Sequence, residues 1–413
     1  MLYSLFKYLD ATYDLPGSGM FQYISFRAAA ALILSLLIVI IFGGSFIRML
    51  RRWKIGETIR KLGLEGEDKK QGTPTMGGLL ILSAVVVPAL LFCRLDNVYI
   101  LLLLASTVWC GAIGFLDDYI KVFRHNKDGL KGRFKVVGQV GLGLIVGLTM
   151  CFSHDVVVRE RVADPIDHAM VVPIADGGYS DNVAEIAVID IKTTQTTIPF
   201  VKNNEFDYSW LTGGYEWLSW ILYVVIAIFI VTAVSNAANL TDGVDGLLTG
   251  VSVPVIAVLG VLAYLSGHII YADYLNIMYI PGSGELLVFA AAMIGALLGF
   301  LWYNTSPAEV FMGDTGSLAI GGIIAVFALC IRKELLLPIM CGVLLAETAS
   351  VIIQTRYFRH TRKKYGEGRR IFLMTPLHHH YQQKKIEDPK ITMRFIIVSL
   401  LLAAISLATL KIR

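Results

Sequence analysis

Ten long apolar stretches punctuate this chain of 413 residues, and they limit what it can fold into more than any other feature. A helix needs about 20 mostly apolar residues to cross the hydrocarbon of a bilayer, where every backbone N–H and C=O must be paired internally. The stretches run from Ala28 to Met49, Pro74 to Cys93, Val98 to Leu116, Val136 to Phe152 and Trp217 to Val234. They continue from Leu247 to Ser266, Leu286 to Trp302, Ser317 to Ile331, Leu335 to Ile353 and Phe395 to Leu410. This pattern predicts an all-α polytopic integral membrane protein with about ten transmembrane helices. Only 16% of the residues are charged, against about a quarter in a soluble domain. A formal charge of +4 is too near balance to suggest nucleic acid. The five cysteines (Cys93, Cys110, Cys151, Cys330, Cys341) sit in apolar runs without a CxxC pair, which argues against a disulfide framework or a zinc site. The first stretch is too long for a secretory signal and lacks a small-residue cleavage site, so it is expected to stay as an anchor.

Orientation follows from the basic residues. Of the 36 Lys and Arg, 25 fall in three loops that share one side, Arg48 to Lys70, Lys121 to Lys135 and Arg356 to Arg394. That side should be cytoplasmic, and ten spans then leave both termini periplasmic. The segment 153–215 faces outward and is not apolar enough to span. Within it AEIAVIDIKT and TTIPFVKN alternate apolar and polar residues, predicting two short strands in a β-hairpin-like periplasmic insertion. The stretch 357–391 is expected as a cytoplasmic loop carrying three adjacent histidines. No repeat of fixed period is visible, and 1–413 reads as a single transmembrane domain.

The acidic residues carry the chemical information. A carboxylate at mid-bilayer costs on the order of 3 kcal/mol, so acids at span ends need a reason. Asp117 and Asp118 close the third stretch in GFLDDYIKV, Asp242 and Asp245 follow the fifth in NAANLTDGVDGL, and Asp314 precedes the eighth in FMGDTGSLAIGG. Each motif alone has a plain reading as a solvated helix end, an Asx-rich turn or a helix start. All three fall on the cytoplasmic face, where five carboxylates would repel one another unless a cation joined them. Mg²⁺ suits hard oxygen ligands and commonly takes one or two carboxylates with substrate phosphate oxygens, so the pattern points to phosphoryl transfer on a diphosphate. Neighbouring helical positions point about 100° apart, so Asp117 and Asp118 should have different duties.

Basic groups that could hold phosphate lie on the same side: Lys69 and Lys70 before TPTMGG, then Lys121 and Lys135. Gly72, Gly77 and Gly78 would let backbone amides approach an anion at a helix start. In MTPLHHHYQQ the side chains of His378, His379 and His380 diverge. A zinc site there would lack the rest of its ligands, and donation to phosphate or substrate fits better.

The ordered motifs TPTMGG, FLDDYIKV, NAANLTDGVDGL, FMGDTGSLAIGG and PLHHHY resemble those of the MraY family. These are the phospho-N-acetylmuramoyl-pentapeptide transferases, within the polyprenyl-phosphate N-acetylhexosamine-1-phosphate transferase superfamily. The likeness covers nearly the whole chain. It implies an enzyme of the bacterial inner membrane, with its active site on the cytoplasmic face. Such an enzyme passes phospho-MurNAc-pentapeptide from UDP-MurNAc-pentapeptide to undecaprenyl phosphate, giving lipid I and UMP, with Mg²⁺ as cofactor. It implies Asp117, Asp118, Asp314 and His378 as catalytic positions. Asp314 is the metal position, Asp117 and Asp118 are further candidate ligands, and Asp117 is the group proposed to deprotonate the lipid phosphate. Lys70, Asn239, Asp242, Asp245 and Phe311 match the uridine side, with Phe311 as the stacking ring. His379 matches the sugar-peptide side, and Thr75, Lys121, Lys135, Asn304 and Gln354 match further polar positions of the cleft. The resemblance also implies a homodimer. It leaves open whether the lipid phosphate attacks directly or a phospho-aspartate intervenes, although a carboxylate committed to a metal is the poorer nucleophile. The outward segment 153–215 is longer than the family leads one to expect.

Two other readings compete. A sister enzyme using UDP-GlcNAc or another UDP-HexNAc would share the aspartates, and only TPTMGG and the histidine triplet separate it. A transporter would place ionisable groups in mid-span at broken, repeated helices. Glu347, inside the ninth stretch, is the one residue that fits such a reading, and its plain alternative is a hydrogen-bonded pair within the bundle.

Overall fold

The computed structural model describes residues 1–13, 16–53, 55, 72–124, 129–161, 170–174, 184–201 and 205–410. Helices account for most of it: α1 (Leu2–Tyr13), α2 (Ile24–Arg52), α3 (Gly78–Phe92), α4 (Val98–Phe123), α5 (Gly132–Phe152), α6 (Glu216–Thr241), α7 (Leu247–Ser266) and α8 (Ile269–Leu275). They continue with α9 (Leu286–Asn304), α10 (Gly313–Cys330), α11 (Leu337–Met340), α12 (Gly342–Tyr365), α13 (Leu377–Gln383) and α14 (Asp388–Ala408). Each of the ten apolar stretches is helical over most of its length, the ninth as two helices, as a multi-pass membrane protein requires.

Two of the about ten expected spans differ from a single long helix. Among the described residues, 8 helices are long and apolar enough to cross a membrane. The second stretch is helical only over the 15 residues of α3, about 22 Å at 1.5 Å per residue, because Pro74 to Gly77 are spent as a loop. The ninth breaks at Cys341, where the helix Glu334–Met340 meets α12 at 80°. There Gly342 packs against the Leu402 side chain of α14, whose tip would have to move to admit a Cβ. The eighth begins four residues earlier than expected, which puts Asp314 in the first turn of α10. Beyond the break, α12 runs on as a helix to Tyr365, so the first part of 357–391 is not a loop.

α10 is the centre of the bundle, with every residue from Thr315 to Cys330 buried. It packs mainly on α4 and α6, with α3 beside its start. The close approach is allowed by small residues: a side chain at Gly114 of α4 would strike the backbone of Asp314 and Thr315, and one at Gly78 of α3 would strike Gly316. The end of α4 and the starts of α3 and α10 thus converge at one end of the bundle.

The other end carries the insertion. Strands β1 (Val158–Arg161), β2 (Met170–Ile174) and β3 (Ala184–Ile191) form an antiparallel sheet in the order β1-β3-β2, and β4 (Gln195–Thr197) pairs with β5 (Glu205–Asp207). The two alternating segments therefore do not form a hairpin with each other, which corrects the expectation. β3 is already paired on both edges, and β4 turns instead onto the bundle, where Thr197 N–H donates to the Arg332 carbonyl at 3.0 Å. At this same end α1, unforeseen in the sequence, lies on the bundle without burying a residue. Its Met1 amino group donates to the Leu90 carbonyl at 3.0 Å, and Phe6 stacks on Phe21.

Candidate active site

Asp117 and Asp118 lie in the last two turns of α4 and Asp314 opens α10, and one oxygen from each lies within 4.8 Å of the others. Among the described residues no other three such groups come so close. The carboxylates of neighbouring positions have separate duties, as their divergence on the helix predicts. Asp118, 3% exposed, turns into the start of α10. It accepts from Asp314 N–H (3.1 Å), Thr315 N–H (2.9 Å) and the Thr315 hydroxyl (2.6 Å). A carboxylate from another helix thus satisfies the unpaired amides of α10 and sits where the helix dipole favours negative charge. Gly313, at φ +74°, makes this turn, and a side chain there would also press on Asp118 and the Thr75 hydroxyl.

Asp117 is fully buried and faces the lysines. Its Oδ1 accepts from Leu130 N–H at 2.7 Å and lies 3.0 Å from Lys135 Nζ, while Oδ2 lies 2.6 Å from Lys121 Nζ. The same two ammonium groups reach Asp314 Oδ2, Lys135 at 2.5 Å and Lys121 at 3.1 Å. Asp314 is the one carboxylate of the three that retains solvent access, with its side chain 16% exposed. Three carboxylates against two ammonium groups leave the cluster one negative charge in excess. Its hard oxygen donors suit a hard divalent cation, and the lysines are placed to meet phosphate oxygens.

The TPTMGG loop is fastened to this cluster. Phe311 N–H donates to the Pro74 carbonyl (2.8 Å), Gly77 N–H to the Phe311 carbonyl (2.9 Å) and Gly78 N–H to the Met312 carbonyl (2.8 Å). The amides of Gly77 and Gly78 are therefore committed to backbone, which corrects the expectation that they would face an anion. What the pairing does fix is Phe311, half-buried and pinned by its backbone while its ring stays free of it. Thr75, buried, lies beside Gly313. Lys70 falls outside the described residues.

A second group surrounds the end of α6. Asp242 follows α6 at its C-cap, and Asp245 is buried and accepts from Ala308 N–H at 3.2 Å. Asn304 is buried, accepts from Gly246 N–H and the Thr249 hydroxyl (both 3.1 Å), and donates to the Val310 carbonyl at 2.9 Å. It acts as a brace that locks the TDGVDG turn to the segment leading into Asp314. Asn239 donates to the Ser317 hydroxyl at 3.1 Å and ties α6 to α10.

The three histidines diverge as adjacent helical residues must. His378 is fully buried, with its backbone N–H 3.2 Å and its Nδ1 3.1 Å from the carboxylate of buried Glu347. Glu347 is therefore part of a hydrogen-bonded pair. The Nε2 of His378 points at Gly243, where any side chain would occupy the ring's place. His379 Nδ1 lies 2.7 Å from Gln382 Oε1. His380 Nδ1 accepts from Leu373 N–H at 3.1 Å, and partial burial, then Lys384, push its pKa below the usual histidine value. Gln354 accepts from Ile371 and Phe372 N–H and donates to the Phe372 carbonyl, so it holds the segment before α13 against α12. The partnership of Glu347 with His378 spans 31 residues, and no spacing in the sequence signals it.

Comparison with known proteins bears on this geometry. A family model for glycosyl transferase family 4 matches residues 182–332, and a phospho-N-acetylmuramoyl-pentapeptide-transferase signature matches residues 70–82, the stretch that contains TPTMGG. Full-length similarity extends to proteins named phospho-N-acetylmuramoyl-pentapeptide-transferase from Flavobacterium psychrophilum (56% identical) and Flavobacterium johnsoniae (55%). A third, from Parabacteroides distasonis, is 53% identical. In each case the alignment covers 100% of both chains.

Proposed function

The chain belongs to the phospho-N-acetylmuramoyl-pentapeptide-transferase family, and from that premise we propose how its residues perform the transfer. It is a membrane transferase that moves phospho-MurNAc-pentapeptide from its UDP carrier to undecaprenyl phosphate, yielding lipid I and UMP. The lipid phosphate attacks the sugar-linked phosphorus of the nucleotide, and UMP leaves.

The observation that carries this reading is the triad of Asp117, Asp118 and Asp314 with Lys121 and Lys135 shared between Asp117 and Asp314. Asp314, with Asp117 beside it, would hold Mg²⁺, which neutralises phosphate charge and polarises the leaving group when bound. Lys121 and Lys135 orient phosphate oxygens and keep the carboxylates from repelling the substrate. Asp117, held between the two ammonium groups, is the group we assign to take the proton of the lipid phosphate. Asp118 is a positioning residue: its oxygens are engaged by the 314–315 turn, so it fixes Asp314 rather than reacting. Phe311 offers its ring to the uracil, and Asp242 and Asp245 flank that side. The His378–Glu347 pair fixes the wall of the cleft opposite Gly243. The excess of Lys and Arg in the loops at this end supports a cytoplasm-facing site in a bacterial inner membrane.

The test is UMP release by the purified protein with undecaprenyl phosphate. UDP-MurNAc-pentapeptide and UDP-GlcNAc are offered in parallel, each with and without EDTA. Metal-dependent release from the muramyl nucleotide alone is expected. Release from UDP-GlcNAc alone would overturn the substrate, and release that EDTA leaves untouched would overturn the metal role.

A further inference from the structure

The cytoplasmic extension of α12 and the segment after it are strongly basic. From Arg356 to Arg394 there are 11 Lys and Arg against three acids, Glu367, Glu387 and Asp388. Between α12, the 369–375 segment and α13 lies a cavity of about 590 Å³, in the size range of small-ligand sites. Arg359 and Arg370 stand on its walls with Phe358, Leu373, Thr375 and Gln383. Among the described residues neither arginine has a carboxylate partner, and Arg370 reaches only the Leu373 carbonyl, at 3.4 Å. The walls are built in advance. Gln354 grips both Ile371 and Phe372, Arg369 N–H donates to the buried Thr361 hydroxyl (2.9 Å), and Leu373 N–H donates to His380.

One wall of the cavity is also a wall of the cleft. α13 carries Gln383 at one end and His378 at the other, and it is seven residues long, about 10 Å. Five extended peptide residues span about 17 Å, more than α13 is long. We propose that this cavity is the subsite for the peptide of the substrate, with Arg359 and Arg370 binding its C-terminal carboxylate. This rests on the transferase reading above, whose donor carries a pentapeptide and hence a terminal carboxylate. The lining suits such a ligand. Phe358 and Leu373 meet apolar side chains, Thr375 and Gln383 meet backbone amides, and two guanidinium forks match one planar carboxylate. A phospholipid headgroup would share the charge but would use neither the apolar floor nor the amide-binding groups.

Full-length enzyme in vesicles would be assayed with UDP-MurNAc-pentapeptide and with the same nucleotide ending in a C-terminal carboxamide. Both arginines are exposed, so screening keeps the effect modest. Wild type should show a KM roughly fivefold higher for the amide, with kcat within about twofold. The R359Q/R370Q variant should show the raised KM for both substrates and no longer tell them apart, while R359K/R370K should recover part of the preference. The amide comparison needs no variant, so misfolding cannot hide the answer. Equal KM values for acid and amide in wild type would overturn the proposal while leaving the transferase reading intact. A variant effect equal for both substrates that follows the anionic lipid content of the vesicles would overturn it in favour of a lipid headgroup. Failure of wild type to turn over either nucleotide would overturn the transferase reading and this proposal with it.

Discussion

The two ends of the bundle both bury charge, and they do so in different ways. At the insertion end, Arg27 (1% exposed) meets Glu285 through two hydrogen bonds of 2.6 and 2.7 Å and donates a third to the Phe92 carbonyl at 3.1 Å. Nearby in sequence to the insertion's docking point, buried Lys333 donates to the Thr197 hydroxyl at 2.5 Å, Arg332 lies over the Tyr223 ring, and the Tyr208 hydroxyl donates to Glu334 at 3.3 Å. In the Arg27–Glu285 pair, one cation meets one anion. At the acidic end, Asp117 and Asp314 share two lysines beside the third carboxylate, Asp118, and Asp314 keeps a path to solvent. Burial of charge is therefore no signature of chemistry in this protein. A matched pair ties helices together, whereas an unmatched cluster that still reaches solvent is prepared for a ligand that completes the balance.

The sharpest way to break this distinction is to neutralise each end and ask what is lost. Asp314→Asn keeps the size of the side chain and removes its charge. Turnover should fall by at least about a thousandfold, ~4 kcal/mol of transition-state stabilisation, while the unfolding temperature stays within a few degrees of wild type. Near-normal turnover would remove Asp314 from the reaction. Arg27→Met tests the opposite end. It leaves Glu285 buried and unpaired, which costs about 3 kcal/mol of stability or more, and kcat per folded molecule should be unchanged. Arg27→Met combined with Glu285→Leu should recover most of the lost stability, because removing both charges also removes the desolvation penalty. A large loss of kcat in either folded variant would mean that the two ends are coupled, which the comparison denies.

The two ends were also unequally legible in the sequence. The acidic end was readable because its parts are local: Asp117 and Asp118 sit in one tetrapeptide, Asp314 begins a Gly-rich run, and the positive-inside bias gathers them on one face. Even there, spacing did not assign the partners. Lys121 is one turn from Asp117 on the same helix, but its contact with Asp314 spans 193 residues. Asn304 and Gln354 read as polar positions of a cleft, and the structure spends their amides on bracing loops. The Arg27–Glu285 pair was invisible, because it joins residues 258 apart and each looks alone like a snorkelling end residue. The break at Cys341 lies between Pro338 and Gly342, inside a stretch whose apolar run reads as one continuous span. Short-range patterns report helices and turns, while matched charges across the bundle appear only once the helices are packed.

Within the acidic end, removing one cation separates the charge balance from the carboxylates themselves. Lys121 contacts both Asp117 and Asp314 but is partly exposed, with 36% of its side chain accessible. Lys121→Gln should lower kcat/KM by about 30-fold, ~2 kcal/mol, less than the loss of Asp314, because Lys135 still bridges the same two carboxylates. The Mg²⁺ concentration for half-maximal rate should fall, since a cluster short of one ammonium attracts a divalent cation more strongly. A rise in that concentration would mean that Lys121 helps build the metal site rather than competing with the ion for its oxygens.

The smallest effect belongs to a residue with no charge at all. The backbone of Phe311 is held by Pro74 and Gly77 independently of its ring, so Phe311→Ala should leave the loop and the aspartates in place. If the ring stacks on uracil, KM for the nucleotide should rise about fivefold, ~1 kcal/mol, with kcat within about twofold. UMP as a product inhibitor should weaken by the same factor, because it keeps the uracil and lacks only the phospho-MurNAc-pentapeptide. A drop in kcat with KM unchanged would place the ring's contribution in holding Asp314 through Met312 and Gly313. An unchanged KM together with unchanged UMP inhibition would remove Phe311 from the nucleotide site. Stacking on a neutral base needs no charge balance, so this variant should also be insensitive to Mg²⁺ concentration, unlike Lys121→Gln.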